Sequence, residues 1–388
     1  MTIDPLVWQA LSFSGAAFAF IFLSAWWLYF SPLRAAPSHA IAVTPRLAAG
    51  MAGLLGLWAL QLVAGAFWDA SMHIQTGRIP AGADFLWPPH LVIYSAFLMS
   101  FAVAMVAIGR VAQNGWLAGD NDPRQWVRGN PYLGAVALAS LYSLLSIPGD
   151  ALWHALYGID LTAWSPPHLI LGLMSCTVMV CALGLLAQAR PAFRRPGWVP
   201  AGMIALLSLM LSVAYMIGVI EWELPGALDR LVAARPIWFY PLVGGAIAFF
   251  TLMLARRLTG WRWAATLTAL AFYLLRAVIA AGLALSGNVV PHVPLGFLLG
   301  AVALDLAPEG VQPQAWRALA QAAAFTVGYG LMALPLLRVR VGLPTLSNGD
   351  MLLAAASTLA VCAVLGPLAR AVAGRLEGRR AQSPGPVG

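Results

Sequence analysis

The sequence predicts an all-α fold: a polytopic transmembrane helical bundle of about 11 spans, with two tandem helical hairpins that look like metal sites. Three observations predict it. Of the 388 residues, 61% are hydrophobic and only 9% are charged, against roughly a quarter charged in an ordinary globular protein. So few charges cannot cover a soluble surface. The apolar residues fall into runs of about 20, the length that crosses a bilayer as helix. Finally, the stretch at 67–91 recurs at 148–169.

The spans are read near 7–30, 47–68, 89–110, 131–149, 167–189, 199–221, 236–255, 263–286, 292–306, 317–337 and 350–373. The first lacks a basic segment and a small-residue cleavage site and is too long for a signal peptide, so a retained helix is expected. The next four flank the two matching hairpins. The span at 199–221 leads out through Glu221 and Glu223, and that at 263–286 carries Arg276 near its middle. An ionised group at that depth is costly and is either paired or functional. Asp305, at the end of the following span, is the expected partner if it is paired. That following span opens on Val-Pro-His-Val-Pro around His292. Residues 1–190 are expected to form one transmembrane bundle that contains the duplicated hairpins, and 191–373 a second. Residues 374–388, Arg-rich and then Ser-Pro-Gly-Pro, are expected to be a disordered cytoplasmic tail.

The net charge of +8 is carried by arginine alone, 22 of them with no lysine. Sorted by loop, sixteen arginines fall on one side and five on the other, with Arg276 inside a span. By the positive-inside rule the richer side is cytoplasmic, which places the N-terminus outside and the C-terminus inside a bacterial inner (plasma) membrane. The basic balance then calls for a lipid bilayer as partner and for no nucleic acid. Cys176, Cys181 and Cys362 all fall within spans, so neither a disulfide framework nor a thiolate cluster is suggested.

The functional information lies in the repeat. Phe67-Trp68-Asp69-Ala70-Ser71-Met72-His73 is followed by Gly82-Ala83-Asp84-Phe85-Leu86-Trp87-Pro88-Pro89-His90-Leu91. Pro148-Gly149-Asp150-Ala151-Leu152-Trp153-His154 is followed by Gly158-Ile159-Asp160, then Trp164-Ser165-Pro166-Pro167-His168-Leu169. Asp69 and His73 each lie eighty-one positions before Asp150 and His154, and His90 lies seventy-eight before His168. An Asp and a His four apart on a helix share one face. The second His follows Pro-Pro, which suits the first turn of a returning helix. A short hairpin therefore brings each trio to one depth, near the outer face. His292, Glu221 and Glu223 are further polar groups on that side, and Asp84 and Asp160 are expected to cap loops or orient a ligating His.

One carboxylate and two imidazoles suit copper, iron or zinc. The helix C-terminal position of Asp69, His73, Asp150 and His154 favours a cation, because the dipole is negative there. A lone Asp-x-x-x-His reads most simply as interfacial polarity. Interfacial anchoring requires neither the duplicated spacing nor the Pro-Pro-His element.

An Asp, a His one turn later and a second His at the start of the next helix resembles the C subunit of the copper membrane monooxygenases, the methane and ammonia monooxygenase family. The resemblance covers roughly residues 60–175 and includes the Gly82 to His90 phrase. It implies copper held by Asp69, His73 and His90, and again by Asp150, His154 and His168, in one subunit of a larger membrane complex. The family has Asn where this chain has Asp150, and its compact subunit lacks the spans after position 190. The expected function is a metal-binding oxidoreductase or its metal-bearing subunit. A transporter or metal-handling protein, with Arg276 on its pathway, and a bis-His haem electron carrier are the competing readings.

Overall fold

The computed structural model describes residues 5–32, 42–76, 86–119, 122–157, 163–195, 197–223, 236, 238–292, 296–308, 310, 313–340 and 347–377. All regular structure among them is helical. The chain divides into two compact units, Met1–Arg194 and Arg195–Gly388.

The first unit contains α1 (Pro5–Phe30), α2 (Pro45–Thr76), α3 (Pro88–Leu117), α4 (Pro123–Gly129), α5 (Pro131–Tyr157) and α6 (Pro166–Gln188). Each of these helices begins on a proline. A first-turn N–H has no acceptor within the helix, so the ring costs nothing there and its fixed φ starts the helix. α5 continues through Pro148, two turns beyond the end expected from sequence, and this carries Asp150 and His154 on helical backbone.

The two hairpins, α2–α3 and α5–α6, pack reciprocally: α3 lies against α5, and α6 against α2. Swapping the hairpins leaves this pattern unchanged, as a two-fold relation between repeats requires. Gly65 sets the approach within the first hairpin, since a Cβ there would lie 2.8 Å from Val92 Cγ1. Gln61 Nε2 donates to the Val92 carbonyl at 3.1 Å and to Ser95 Oγ at 2.6 Å. α1 and the short α4 brace α5, with Arg128 Nε donating to the Leu28 carbonyl at 2.7 Å.

The second unit contains α7 (Trp198–Glu223), α8 (Phe239–Thr259), α9 (Ala264–Leu285), α10 (Phe297–Leu306), α11 (Gln314–Arg340) and α12 (Asn348–Leu376). α8 is its centre, packed against α7, α9, α10, α11 and α12, with Phe249, Leu252, Met253 and Ala255 fully buried. A left-handed Gly260 (φ 66°) ends α8, and a Ser347–Asp350 capping box starts α12.

Among the described residues nine helices, α2, α3, α5 to α9, α11 and α12, are long and apolar enough to cross a membrane. Their outward faces are apolar, as at Leu274, Val278, Leu352 and Val364. A water-facing exterior of that kind would be exceptional, whereas against lipid tails it is ordinary. The protein is an integral membrane protein of all-α architecture.

The span expected at 292–306 takes a different form. Its helix, α10, has only ten residues, about 15 Å of rise, or half a bilayer core. Non-helical backbone from Asn288 to His292 leads into the span, and 293–295 lie outside the described residues. The segment still returns along the whole of α9, because Asp305 meets the backbone of Ala265 and Thr266 at the start of that helix. Irregular backbone at membrane depth persists only where protein groups satisfy it. Here the His292 N–H donates to the Glu223 carbonyl at 2.6 Å, and the His292 carbonyl accepts from Arg276 Nη2 at 3.4 Å.

Candidate metal centre

Each trio is assembled by one hairpin of the first unit. Asp69 and His73 occupy successive turns near the end of α2, and His90 is the third residue of α3, behind Pro88 and Pro89. Asp150 and His154 stand in the same relation near the end of α5, and His168 is the third residue of α6, behind Pro166 and Pro167. The sequence spacing thus becomes two copies of one three-dimensional arrangement.

Asp69 Oδ1 lies 3.5 Å from His73 Nε2 and 3.2 Å from His90 Nε2, and Asp150 Oδ1 lies 3.6 Å from His168 Nε2. In each trio the donor atoms all fall within 4.8 Å of one another. Ligands bound at about 2.0–2.2 Å to one ion lie roughly 3–4.4 Å apart, so the spacing fits a shared cation. Asp69, His73, His90, Asp150 and His154 are buried, and His168 is partly exposed.

The fit is also visible in what the donor atoms lack. Asp69 Oδ1, His73 Nε2 and Asp150 Oδ1 are buried with no partner in hydrogen-bond geometry among the described residues. An unsatisfied buried polar atom costs about 1–3 kcal/mol, and more when it is charged. Three such atoms converging on two small polar clusters match the donor set of a transition metal better than that of a structural network.

The two trios adjoin. The ring centroids of His73 and His154 are 6.0 Å apart, the same separation as His73 to His90 within one trio. His154 in turn lies 6.1 Å from His168, ring centroid to ring centroid. The polar groups therefore form one continuous buried patch with two lobes.

Two neighbours that the sequence reading did not single out shape the lobes. Ser165, at the N-cap position of α6, places its Oγ 3.0 Å from His168 Nδ1. This contact turns Nε2 toward Asp150 and is the kind that orients a ligating imidazole. Tyr94, one turn after His90, has its ring centroid 5.6 Å from that imidazole. Their sequence signals, a serine before Pro-Pro and a tyrosine at i+4, are too common to identify alone. Trp87, in the phrase that leads into His90, is buried.

Asp84, Asp160 and the side chain of Glu221 lie outside the described residues. Arg276 does not pair with Asp305. It pairs with Glu223 of α7, both side chains being essentially inaccessible, and His292 joins this cluster through its backbone. The reason is depth: Asp305 sits level with Thr266, ten residues or about 15 Å along α9 from Arg276. Asp305 instead accepts from the backbone N–H groups of Ala265 and Thr266 at 3.3 and 2.8 Å, and lies 3.5 Å from Arg256 Nε.

No known protein family, curated protein or solved structure matches this chain.

Proposed function

We propose that the protein is a membrane metalloprotein whose first unit holds transition-metal ions in the two Asp-His-His trios, copper being the best fit and iron or zinc the alternatives. One observation carries this reading: two hairpins, related by an internal repeat, each bring a carboxylate and two imidazoles within 4.8 Å inside an apolar bundle. The resemblance of residues 60–175 to the copper membrane monooxygenase subunit supports copper, and with it a role as an oxidoreductase or as the metal-bearing subunit of a larger membrane complex. When bound, copper would supply one-electron redox chemistry that these side chains lack. The chain's own contribution is to hold the donors. Asp69 and Asp150 offer carboxyl oxygens, the four histidines offer ring nitrogens, Ser165 fixes one ring, and the apolar helices around them exclude water and lower the dielectric.

X-ray absorption at the metal edge of protein purified from native membranes tests this reading. Histidine scattering at about 2.0 Å that is lost in His73→Ala with His154→Ala is expected. A metal without histidine neighbours, or one indifferent to both substitutions, would overturn it.

A second reading, transport or metal handling, is favoured by a different observation: the non-helical backbone beside the buried Arg276–Glu223 pair. Transporters place interrupted helices and paired charges along their pathways. Metal uptake into vesicles that depends on Glu223 would favour it over the oxidoreductase.

A further inference from the structure

At one end of the second unit, where α8 and α12 finish and α9 begins, there is a cavity of about 650 Å³. Arg256, Arg257, Arg262 and Arg370 wall it, against two carboxylates, Asp305 and Glu377. Asp305 is already engaged by the Ala265 and Thr266 N–H groups, by the Thr266 hydroxyl at 2.8 Å and by Arg256. With Glu377 as the second carboxylate, the four guanidiniums still outnumber the acids that line the cavity by two. Arg257 Nη2 and Arg370 Nε are buried with no hydrogen-bond partner among the described residues. Arg370 also faces the like charges of Arg257 and Arg317, and its Nη1 reaches Gln321 Oε1 only at 3.5 Å.

Two ordinary demands place arginines at such an end: complementing helix C-termini and obeying the positive-inside rule. Side chains that reach into solvent satisfy both. Neither demand draws guanidiniums from α8, from the turn after it and from α12 around one hollow, with N–H donors left lacking acceptors. An anion in the hollow would remove the repulsion and accept from those donors. The volume falls in the range of small-ligand sites, about 300–1,000 Å³.

We propose that this cavity binds a phosphate-bearing anion. Guanidinium forks match phosphate oxygens in charge and geometry. The same chemistry is presented by the headgroup of an anionic phospholipid and by a soluble phosphate. Trp261 lines the cavity, and Trp261 and Trp263 are exposed, with Arg262 over the Trp263 ring at 5.5 Å. Indoles at this position mark headgroup depth, where basic pockets between transmembrane helices take anionic lipid. The site is independent of the metal centre, and its failure would leave that reading untouched.

The test uses the full chain in phosphatidylcholine nanodiscs with two probes, phosphatidylglycerol read by native mass spectrometry and inorganic pyrophosphate read by titration calorimetry. Arg257→Gln with Arg370→Gln is compared with Arg194→Gln plus Arg195→Gln, an equal charge change at exposed positions in the chain between α6 and α7. Binding of one probe is expected to weaken roughly thirtyfold in the cavity pair, the effect of two phosphate-facing cations, and to stay near wild type in the surface pair. Retention of phosphatidylglycerol identifies the source as lipid, and binding of pyrophosphate identifies it as soluble. Wild-type protein that binds neither probe, or equal losses in the two pairs, overturns the proposal. If the cavity pair fails to fold, Arg262→Gln on the exposed rim is expected to weaken binding about fivefold, and an unchanged affinity there overturns it equally.

Discussion

His73 and His154 face each other across the junction of the two repeats, with ring centroids 6.0 Å apart. They occupy equivalent positions of the duplicated motif, eighty-one residues apart in the chain. Reciprocal packing of α3 on α5 and α6 on α2 puts them there. Ligands at a shared boundary do not act independently, since residues in contact show non-additive energies of about 0.5–3 kcal/mol. Replacing His73 by Ala is therefore expected to empty its own trio and also to weaken the second. A double-mutant cycle of His73→Ala and His154→Ala, scored by metal affinity against a chelator, should give a coupling of that order. Strict additivity would mean two isolated sites.

Ser165 positions a ring and binds nothing itself. Removing its hydroxyl by Ser165→Ala should leave the helix end formed, because the side chain makes no capping hydrogen bond, while releasing His168 from its contact at Nδ1. Loss of an orienting partner typically lowers metal affinity about 10–100-fold. Competition with a chromogenic chelator measures this, and Ser165→Thr, which keeps the hydroxyl, should restore most of the affinity.

The close approach of α2 and α3 depends on Gly65. A side chain there meets Val92 Cγ1 at 2.8 Å and Ile93 Cγ1 at 3.2 Å, one turn before Asp69 and two residues after His90. Gly65→Leu is expected to destabilise the first unit by about 1–3 kcal/mol through overpacking. It should also separate His90 from Asp69, and so lower the metal content of the first trio more than that of the second. Thermal unfolding in detergent and metal analysis of the same preparation report the two effects.

In the second unit, the Arg276–Glu223 pair is buried on both sides. Glu223→Gln removes the carboxylate opposite a buried guanidinium and is expected to cost about 3–5 kcal/mol. Replacing both by apolar residues of similar size, Glu223→Met with Arg276→Met, should recover much of that loss if the pair is structural. Denaturation of the single and double variants in matched detergent separates these outcomes.

The spans and the trios were legible in the sequence because both rest on local rules. Apolar length reports membrane crossing, and an i, i+4 pair followed by Pro-Pro-His reports a face and a helix start. Long-range packing was not legible. Nothing in the spacing of Asp69 to His90 or of Asp150 to His168 reveals that His73 meets His154, since this depends on which helices of the two hairpins touch. The partner of Arg276 was misassigned for a related reason. Asp305 is the nearer acid in sequence, but the half-length α10 carries it to the other end of α9, while Glu223 arrives from an earlier helix. The ninth span shows the same limit: its apolar composition fits a full crossing, yet the backbone at Pro291 and His292 is not helical.

Elemental analysis of protein purified from native membranes measures whether the two trios hold metal. About one to two transition-metal ions per chain are expected for two trios of this ligand type, falling to background in His73→Ala with His154→Ala. Metal-free wild-type protein, or a metal content unchanged by the double substitution, would contradict metal binding by the trios.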